Sequence, residues 1–373
     1  MKSLENEITN ARREIKADSY QMSIGELTNL YKDNELIIAP EYQRLFIWSG
    51  DQKSKLIESI LIGIPLPSFF VAQDDDGNWE VIDGLQRIST FLQLQGILRD
   101  ESDSSKTLPA LVLSGTHHLK ALEGLVWSEK VDTGDAENEV KGYLTPAQQK
   151  DIKRAKLDIK IIQRDSDPKV KYDLFMRLNK DGTQLEAQEV RAAALFQASP
   201  EFAKWLIKMA NNEIFLNTVN VSQEKISRKY NEELVLRFFL LSSLDDGEIK
   251  TFKHLNDALD EYALNLAMEF SDKKEELERV FNTTFSELSK FKDTMFRYYE
   301  EEERYRKKFT LSAFEAIATG VGYMILNNIP YRKDLDVASQ ELWGMENMEA
   351  TGRSSESRIR KTVRAGREIL RKF

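Results

Sequence analysis

The sequence predicts an α+β protein in two parts: a mixed α/β domain over residues 1–165 and an all-helical domain with a basic C-terminal helix over residues 166–373. Three observations carry that expectation. Short β-type runs and most of the prolines fall before about residue 165. The stretch Asp74-Asp75-Asp76-Gly77-Asn78 has hairpin-turn chemistry and joins Phe69-Phe70-Val71-Ala72 to Trp79-Glu80-Val81-Ile82. From Pro168 onward, apolar residues recur at helical spacing almost without interruption.

Leu36-Ile37-Ile38-Ala39 reads as a strand. A helix over about 52–62 follows, with Leu56, Ile57, Ile60 and Leu61 on one face and Gly63 placed to end it. After the hairpin, a helix over about 86–95 closes at Gly96. Residues 99–150 read as polar and irregular, punctuated by Gly115, Gly124, Gly134 and Gly142. Leu157-Asp158-Ile159-Lys160-Ile161-Ile162 is a further strand. Asp167-Pro168 is an N-cap followed by proline at the first helical position, and Val170, Leu174, Phe175 and Leu178 form the next apolar stripe. Further helices are expected over 184–198, 200–210, 230–243, 252–270, 272–300, 309–328 and 354–372. In the fifth of these, Phe281, Phe285, Leu288, Phe291, Met295 and Tyr299 read as a core stripe and Glu300-Glu301-Glu302-Glu303 as a solvated face.

With 53 Lys and Arg against 62 Asp and Glu, the 373 residues carry a formal net charge of −9. The balance argues against a uniformly basic nucleic-acid coat, though not against a local basic patch. Cysteine is absent, which excludes a disulfide framework, a thiol nucleophile and Cys-based metal sites. The three histidines, His117, His118 and His254, leave little for a His-rich metal site. The charged N-terminus has no apolar core of a secretory signal, and no run approaches the ~20 apolar residues of a membrane span. The expected compartment is the cytoplasm.

Three clusters carry candidate chemistry. In Val81-Ile82-Asp83-Gly84-Leu85-Gln86-Arg87-Ile88-Ser89-Thr90 a strand stops, a glycine turns the chain, and a helix begins. A helix N-terminus suits phosphate. Arg87 in the first turn opposes the helix dipole, where Asp or Glu is the usual choice. Such a violation fits an anion site; it equally fits a structural Asp–Arg pair. Asp83 could orient Arg87, hold magnesium, or accept from a sugar hydroxyl. The second cluster is Tyr42-Gln43-Arg44, followed by Trp48, with Arg44 as a fork for phosphate or carboxylate, Tyr42 and Trp48 as stacking surfaces for a base, and Phe46, Ile47 and Trp48 alternatively as core. The third runs from Phe175-Met176-Arg177-Leu178-Asn179 through Gly182-Thr183 to Glu186, Glu189 and Arg191. Turn and capping-box chemistry accounts for Gly182, Thr183 and Glu186 and leaves Asn179, Glu189 and Arg191 as candidates.

These motifs, with the Ser59…Gly63-Ile64-Pro65-Leu66-Pro67 run between the first two, occur in one order over about residues 20–200. Together they resemble the N-terminal domain family of GmrSD-type modification-dependent restriction systems, a branch of the ParB/sulfiredoxin-like fold. The resemblance implies that Asp83-Gly84-Leu85-Gln86-Arg87 is a nucleotide-binding and hydrolysis motif, with Leu85 in place of the usual first glutamine. It makes Asp83, Gln86 and Arg87 the catalytic candidates. Tyr42, Gln43, Arg44, Gly84, Thr90 and Asn179 become nucleotide-binding candidates, with Arg44 and Asn179 facing the phosphates. A nucleoside triphosphate with Mg2+ on Asp83 is the implied cofactor, and defence against phage or foreign DNA the implied setting.

Larger relatives carry a C-terminal His-Asn-His nuclease, but only His254 lies beyond residue 118. An Arg-x-x-x-x-His ribonuclease motif and a P-loop are absent as well. Asp158-Ile159-Lys160 matches a carboxylate-x-Lys signature that an alternating strand explains better, and Asp74–Asp76 reads as a solvated turn. The expected partner is therefore a separately encoded nuclease or toxin, with DNA a further candidate. Alternatives are a non-catalytic, antitoxin-like sensor module and a ParB-like DNA-binding protein.

The segment 353–373 holds eight cations and two carboxylates, a net +6 that leaves −15 on the rest of the chain. Its stripe of Ile359, Val363, Gly366, Leu370 and Phe373 is flanked by Arg358, Arg360, Lys361, Arg364 and Arg367. That helix is expected to contact nucleic acid, to dock on a partner, or to pack on the acidic body of its own chain.

Overall fold

The computed structural model describes residues 4–5, 16–38, 48–100, 103, 105–134, 139–166, 168–180, 187–300, 304–345 and 354–371. The chain forms two compact units, residues 1–179 and 180–373. The first is a mixed α/β unit and the second is rich in helix, as the sequence predicts. The division falls between Asn179 and Lys180, in the last turn of the helix that starts at Pro168.

The first unit runs β1 (Ala17–Ser23), α1 (Ile24–Lys32), β2 (Leu36–Ile37), α2 (Gly50–Leu61), β3 (Phe69–Gln73), β4 (Trp79–Asp83) and α3 (Leu85–Leu94). It continues through β5 (Leu125–Val126), β6 (Gly142–Tyr143), α4 (Pro146–Arg154), β7 (Lys156–Ile162) and α5 (Pro168–Lys180). Five strands form one sheet in the order β1-β7-β3-β4-β2. β3 runs antiparallel to β4 and parallel to β7, while β2 runs parallel to β4. The pleat sends Leu157 and Ile159 of β7 into the core and leaves Lys156, Asp158 and Lys160 outside it. Phe69, Val71, Val81, Met22 and Leu36 share that core with Ile24 and Leu27 of α1, Ile57 of α2, Ile88 and Phe91 of α3, and Ile152 of α4.

β1, α1 and α4 escape the sequence reading, as do the two-residue strands β5 and β6. β1 is polar and exposed except at Met22, because it is an edge strand ordered by antiparallel pairing with β7 from Ala17↔Ile162 to Ser23↔Lys156. α1 begins at an N-capping Ser23, and Ile24, Leu27, Thr28 and Tyr31 form its buried face. α4 lies inside the stretch expected to be irregular, opened by a capping box between Thr145 and Gln148 with Pro146 in its first turn. The rest of 99–142 is largely irregular and is anchored from α2. The Glu58 carboxylate accepts from the Thr116 hydroxyl, from His118 N at 2.8 Å and from Leu119 N at 3.1 Å.

Those donors, the Thr116 hydroxyl first, hold the Glu58 carboxyl below the usual glutamate range. Its contribution to stability is therefore complete above the ordinary value of 4.5 and is lost as pH falls through the lower folded-state value. Glu58→Gln should flatten the acid limb of the stability profile, read as urea midpoints from about pH 6 down to about pH 3. An unchanged acid limb would remove Glu58 from that role.

The second unit contains α6 (Ala187–Ala198), α7 (Pro200–Ala210), α8 (Glu213–Val219), α9 (Gln223–Ser227), α10 (Tyr230–Ser243), α11 (Asp246–Thr251), α12 (Leu255–Met268) and α13 (Phe270–Leu288). A hairpin of β8 (Arg297–Glu300) and β9 (Arg304–Phe309) follows. A helical turn (Leu311–Ala313) and a π-helical segment (Phe314–Ala318) then lead into α14 (Thr319–Leu326), α15 (Leu335–Gly344) and α16 (Ser355–Leu370). α10 is buried on most of its surface, at Leu234, Val235, Leu236, Phe238 and Leu241 and also at Asn231 and Arg237. The stripe from Phe281 is α-helical to Leu288 and continues as a 3-10 helix over Ser289–Thr294; Tyr299 belongs to β8 and pairs with Tyr305 across the ribbon, ring centroids 5.1 Å apart. Cross-strand aromatic pairing wins over helical periodicity there, which corrects the expectation of helix over 272–300. Of the four glutamates that follow, Glu301–Glu303 lie outside the described residues. Among the described residues no helix is long and apolar enough to cross a membrane.

Candidate functional site

β4 and β2 run parallel and end on the same edge of the sheet, and β3 and β7 begin there. At this edge β4 stops at Asp83, and Gly84 adopts φ 97° and ψ 10°, the left-handed region. A Cβ on Gly84 would lie 2.4 Å from Cδ1 of Phe69, a fully buried ring, so only glycine fits the turn. α3 opens directly on that glycine, with no side-chain cap and no acidic residue in its first turn. The positive end of its dipole is therefore not offset by a capping side chain or by an acidic residue in the first turn.

Arg87 is held within the protein. Its Nη1 donates to Pro67 O, and its Nη2 donates to Ser68 O at 3.2 Å and to Asp83 Oδ2 at 3.0 Å. The guanidinium lies 4.2 Å from the centroid of the Phe69 ring. Burial lowers the Arg87 pKa and raises that of Asp83, with their mutual attraction opposing both shifts. A guanidinium stays charged in proteins, so this is an ion pair in a desolvated corner. It ties the start of β3, the end of β4 and the first turn of α3 together. A cation in that turn is thus accounted for by two backbone carbonyls and one carboxylate, acceptors that sequence spacing cannot reveal.

Gln86 stands beside Arg87, and its Oε1 accepts from Trp48 N at 3.1 Å. Thr90 is fully buried and its hydroxyl donates to Gln86 O at 2.6 Å, so it serves the helix. Tyr42, Gln43 and Arg44 lie outside the described residues, but both flanks of their segment are placed. β2 reaches the segment just after Ile37 pairs with Glu80 of β4, and Trp48 leaves it bonded to Gln86. β2 ends opposite Glu80, near the start of β4, so of the two flanks only Trp48 is placed at the start of α3. Asn179 falls in the last turn of α5; its side chain lies outside the described residues, as do Gly182, Thr183 and Glu186. Arg191 is fully buried and pairs with Asp260 at 2.7 Å.

A polar line continues from Arg87 along the same edge. Ser68, whose carbonyl takes Arg87, donates its hydroxyl to Asp158 Oδ2 at 2.6 Å, and Asp158 pairs with Lys160 at 3.2 Å. The Ser68 hydroxyl and then Lys160 lower the Asp158 pKa. The Asp158-Ile159-Lys160 match is thus engaged in a link between β7 and β3. In the hairpin, Asp74 accepts from Asn78 N at 2.8 Å, a turn-closing role. Among the described residues no group of three His, Asp or Glu side chains could hold a metal ion.

Residues 24–196 match the family model of the GmrSD restriction endonuclease, N-terminal domain. The GmrSD-type segment covers a little under half of the chain and contains Asp83, Gly84, Gln86, Arg87 and the two other clusters. This similarity points to a restriction-system-related domain. No match was found among curated proteins or among solved structures.

The basic helix α16 lies beyond the GmrSD-type segment. Ile359, Val363, Ile369 and Leu370 are fully buried in the second unit, and Gly366 sits so close to the π-helical segment that a Cβ would meet Ala316 O at 2.0 Å. Arg358 donates to Glu315 at 2.9 Å, and Arg360 donates to Phe252 O at 2.7 Å. Arg367 is 1% exposed; it donates to Asp246 at 2.7 Å and to Leu244 O at 2.7 Å. Three of the five candidate contact residues are therefore engaged inside their own unit. Arg364 is exposed and Lys361 half-buried. Packing on the acidic body, the third of the expectations for this helix, is the arrangement these bonds describe.

Proposed function

We propose that the chain is the nucleotide-handling component of a restriction-type defence system, binding and hydrolysing a nucleoside triphosphate to control a nuclease on another chain. The restriction setting is supported by the family match over residues 24–196. The nucleotide reading is carried by one observation: α3 opens uncapped on Gly84, and Gln86 in its first turn accepts from Trp48 N, where the segment bearing Arg44 ends. Crevices at the carboxyl ends of strands, with a helix N-terminus facing them, are where phosphates bind in α/β folds.

In this reading the first-turn N–H groups of α3 receive a phosphate. Arg87 and Asp83 are positioning residues that hold the turn, Gln86 lies in the first turn of α3, and Arg44 supplies a cation contact from its own segment. Asp83, the candidate for magnesium, is paired with Arg87, and among the described residues no group of three carboxylate or imidazole side chains forms a separate metal site. In this reading magnesium enters with the triphosphate, bound by its phosphates and by one carboxylate, for which Asp83 is the candidate. The engagement of Arg87 by Pro67, Ser68 and Asp83 favours one alternative, a sensor that binds nucleotide without hydrolysing it.

The test is Gln86→Glu. The new carboxylate can still accept from Trp48 N and interacts favourably with the α3 dipole by about 0.3–1 kcal/mol, so the fold should be unharmed or slightly stabilised. The same charge should weaken triphosphate binding by about tenfold or more, through like-charge repulsion at the phosphate. Wild-type protein is titrated with each nucleoside triphosphate and magnesium, and phosphate release is followed. Binding without release selects the sensor. Absence of binding by the wild type, or equal binding by Gln86→Glu, would sink the site. Co-purification of a nuclease with the chain tests the partner.

A further inference from the structure

A second concavity lies at the opposite edge of the sheet from Asp83, where β4 begins. It is a groove of about 300 Å³ between α1 and the sheet, lined by Tyr20, Met22, Glu26, Leu30, Glu35, Gly77, Trp79 and Ile161. Tyr20 and Trp79 form two walls, with ring centroids 6.3 Å apart and planes at 73°. Met22, Leu30 and Ile161 supply an apolar floor. Glu26 and Glu35 are exposed at the lip, and the lining contains no Lys or Arg. The Tyr20 hydroxyl donates to Glu26 Oε1 at 2.9 Å, which fixes one aromatic wall against one carboxylate. The Trp79 wall is fixed as well, since its backbone N–H donates to Glu35 O at 2.8 Å.

We infer that this groove is a binding site for a small free organic cation, a primary aliphatic amine whose chain lies against Tyr20 and Trp79 and whose ammonium group meets Glu26 and Glu35. Each class of ligand is selected by that lining. Anions are repelled by two carboxylates and by the Asp74–Asp76 turn that precedes Gly77. A bare metal ion finds aromatic and aliphatic walls where it needs oxygen ligands. A neutral apolar molecule could use the floor but would leave the carboxylates without a counter-charge. An alkylammonium uses all three surfaces, combining apolar contact, cation–π attraction and ion pairing. The volume sits at the lower end of small-molecule sites, which suits a short chain.

The site is independent of the phosphate reading. Trp79 and Asp83 are the two ends of β4, separated by about 13 Å at strand rise, and the two pockets ask for ligands of opposite charge.

The test uses the full chain and butylammonium, with butanol and butyrate as neutral and anionic probes of similar apolar bulk. Binding is followed by the Trp79 indole NMR signal, assigned through Trp79→Phe. Butylammonium should give a saturable shift that high salt weakens, and the two controls should give none. Glu26→Gln combined with Glu35→Gln alters two exposed side chains, so its unfolding midpoint should match the wild type while its amine affinity falls by about tenfold. Equal response to butanol would reduce the groove to an apolar crevice. Absence of a butylammonium shift, or undiminished affinity in the double variant, would overturn the site. A lysine derivative blocked at both backbone ends separates the sources: markedly tighter binding than butylammonium would make the occupant a protein side chain and overturn the free amine.

Discussion

Replacing Glu315 with alanine should destabilise the C-terminal unit by about 3–5 kcal/mol, the range for removing one partner of a buried ion pair. Glu315 is fully buried in the π-helical segment. Its Oε1 accepts from Arg237 at 2.7 Å and from Arg358 at 3.0 Å; its Oε2 accepts from Arg358 at 2.9 Å and from the Thr362 hydroxyl at 3.3 Å. One carboxylate thus joins α10, the π-helical segment and α16. Arg358, about a quarter exposed, can turn to water after the substitution, but Arg237 is 6% exposed and would keep only Glu233. Glu315→Gln keeps one acceptor oxygen and fills the same volume, so its cost should be smaller than that of alanine. Arg364→Ala on the exposed side of α16 should stay within about 0.5 kcal/mol. Urea unfolding followed by Trp205 and Trp343 reads all three. A loss below about 1 kcal/mol for Glu315→Ala would show that the cluster relaxes without its carboxylate. The same series decides the role of Arg358: as part of the clamp, its alanine variant should lose stability.

Gly84→Ala should cost the N-terminal unit about 2–5 kcal/mol, the sum of about 1–2 kcal/mol for a left-handed alanine and about 1–3 kcal/mol for overpacking. The methyl group would meet the Phe69 ring at 2.4 Å, and that ring lies in the core with no room to withdraw. Gly63→Ala separates the two contributions. Gly63 also has a positive φ, +81°, but nothing lies within 4 Å of its Cβ position, so it should show only the backbone part. A Gly84→Ala loss no larger than that of Gly63→Ala would mean that the Phe69 contact yields freely. Because the displaced element is the start of α3, triphosphate binding should fall together with stability in Gly84→Ala, whereas Gln86→Glu should lose binding alone.

Periodicity and turn chemistry made much of both units legible. The hairpin over 69–83, the helix after Gly84, the alternating β7 and helices such as 200–210 and 230–243 all carry their own local signal. β1 carries none, since its order comes from β7, and β8–β9 looked helical because aromatic residues satisfy either period. The site divides in the same way. Asp83-Gly84-Leu85-Gln86-Arg87 announces a strand, a left-handed turn and a helix start in its own residue types. That the guanidinium of Arg87 binds Pro67 O and Ser68 O was not legible, because backbone carbonyls are the same in every sequence.

The local alphabet of this protein, its N-caps, left-handed glycines, apolar stripes and acidic body with a basic end, is written in the residue types, because these features depend on neighbours a few positions apart. Which charges face solvent is not. The helix 355–370 has the composition of a nucleic-acid contact, yet Arg358 and Arg367 find Glu315 and Asp246 more than forty and a hundred residues away. Only the folded chain brings those partners within reach, and desolvation then leaves each buried arginine bound to its carboxylate.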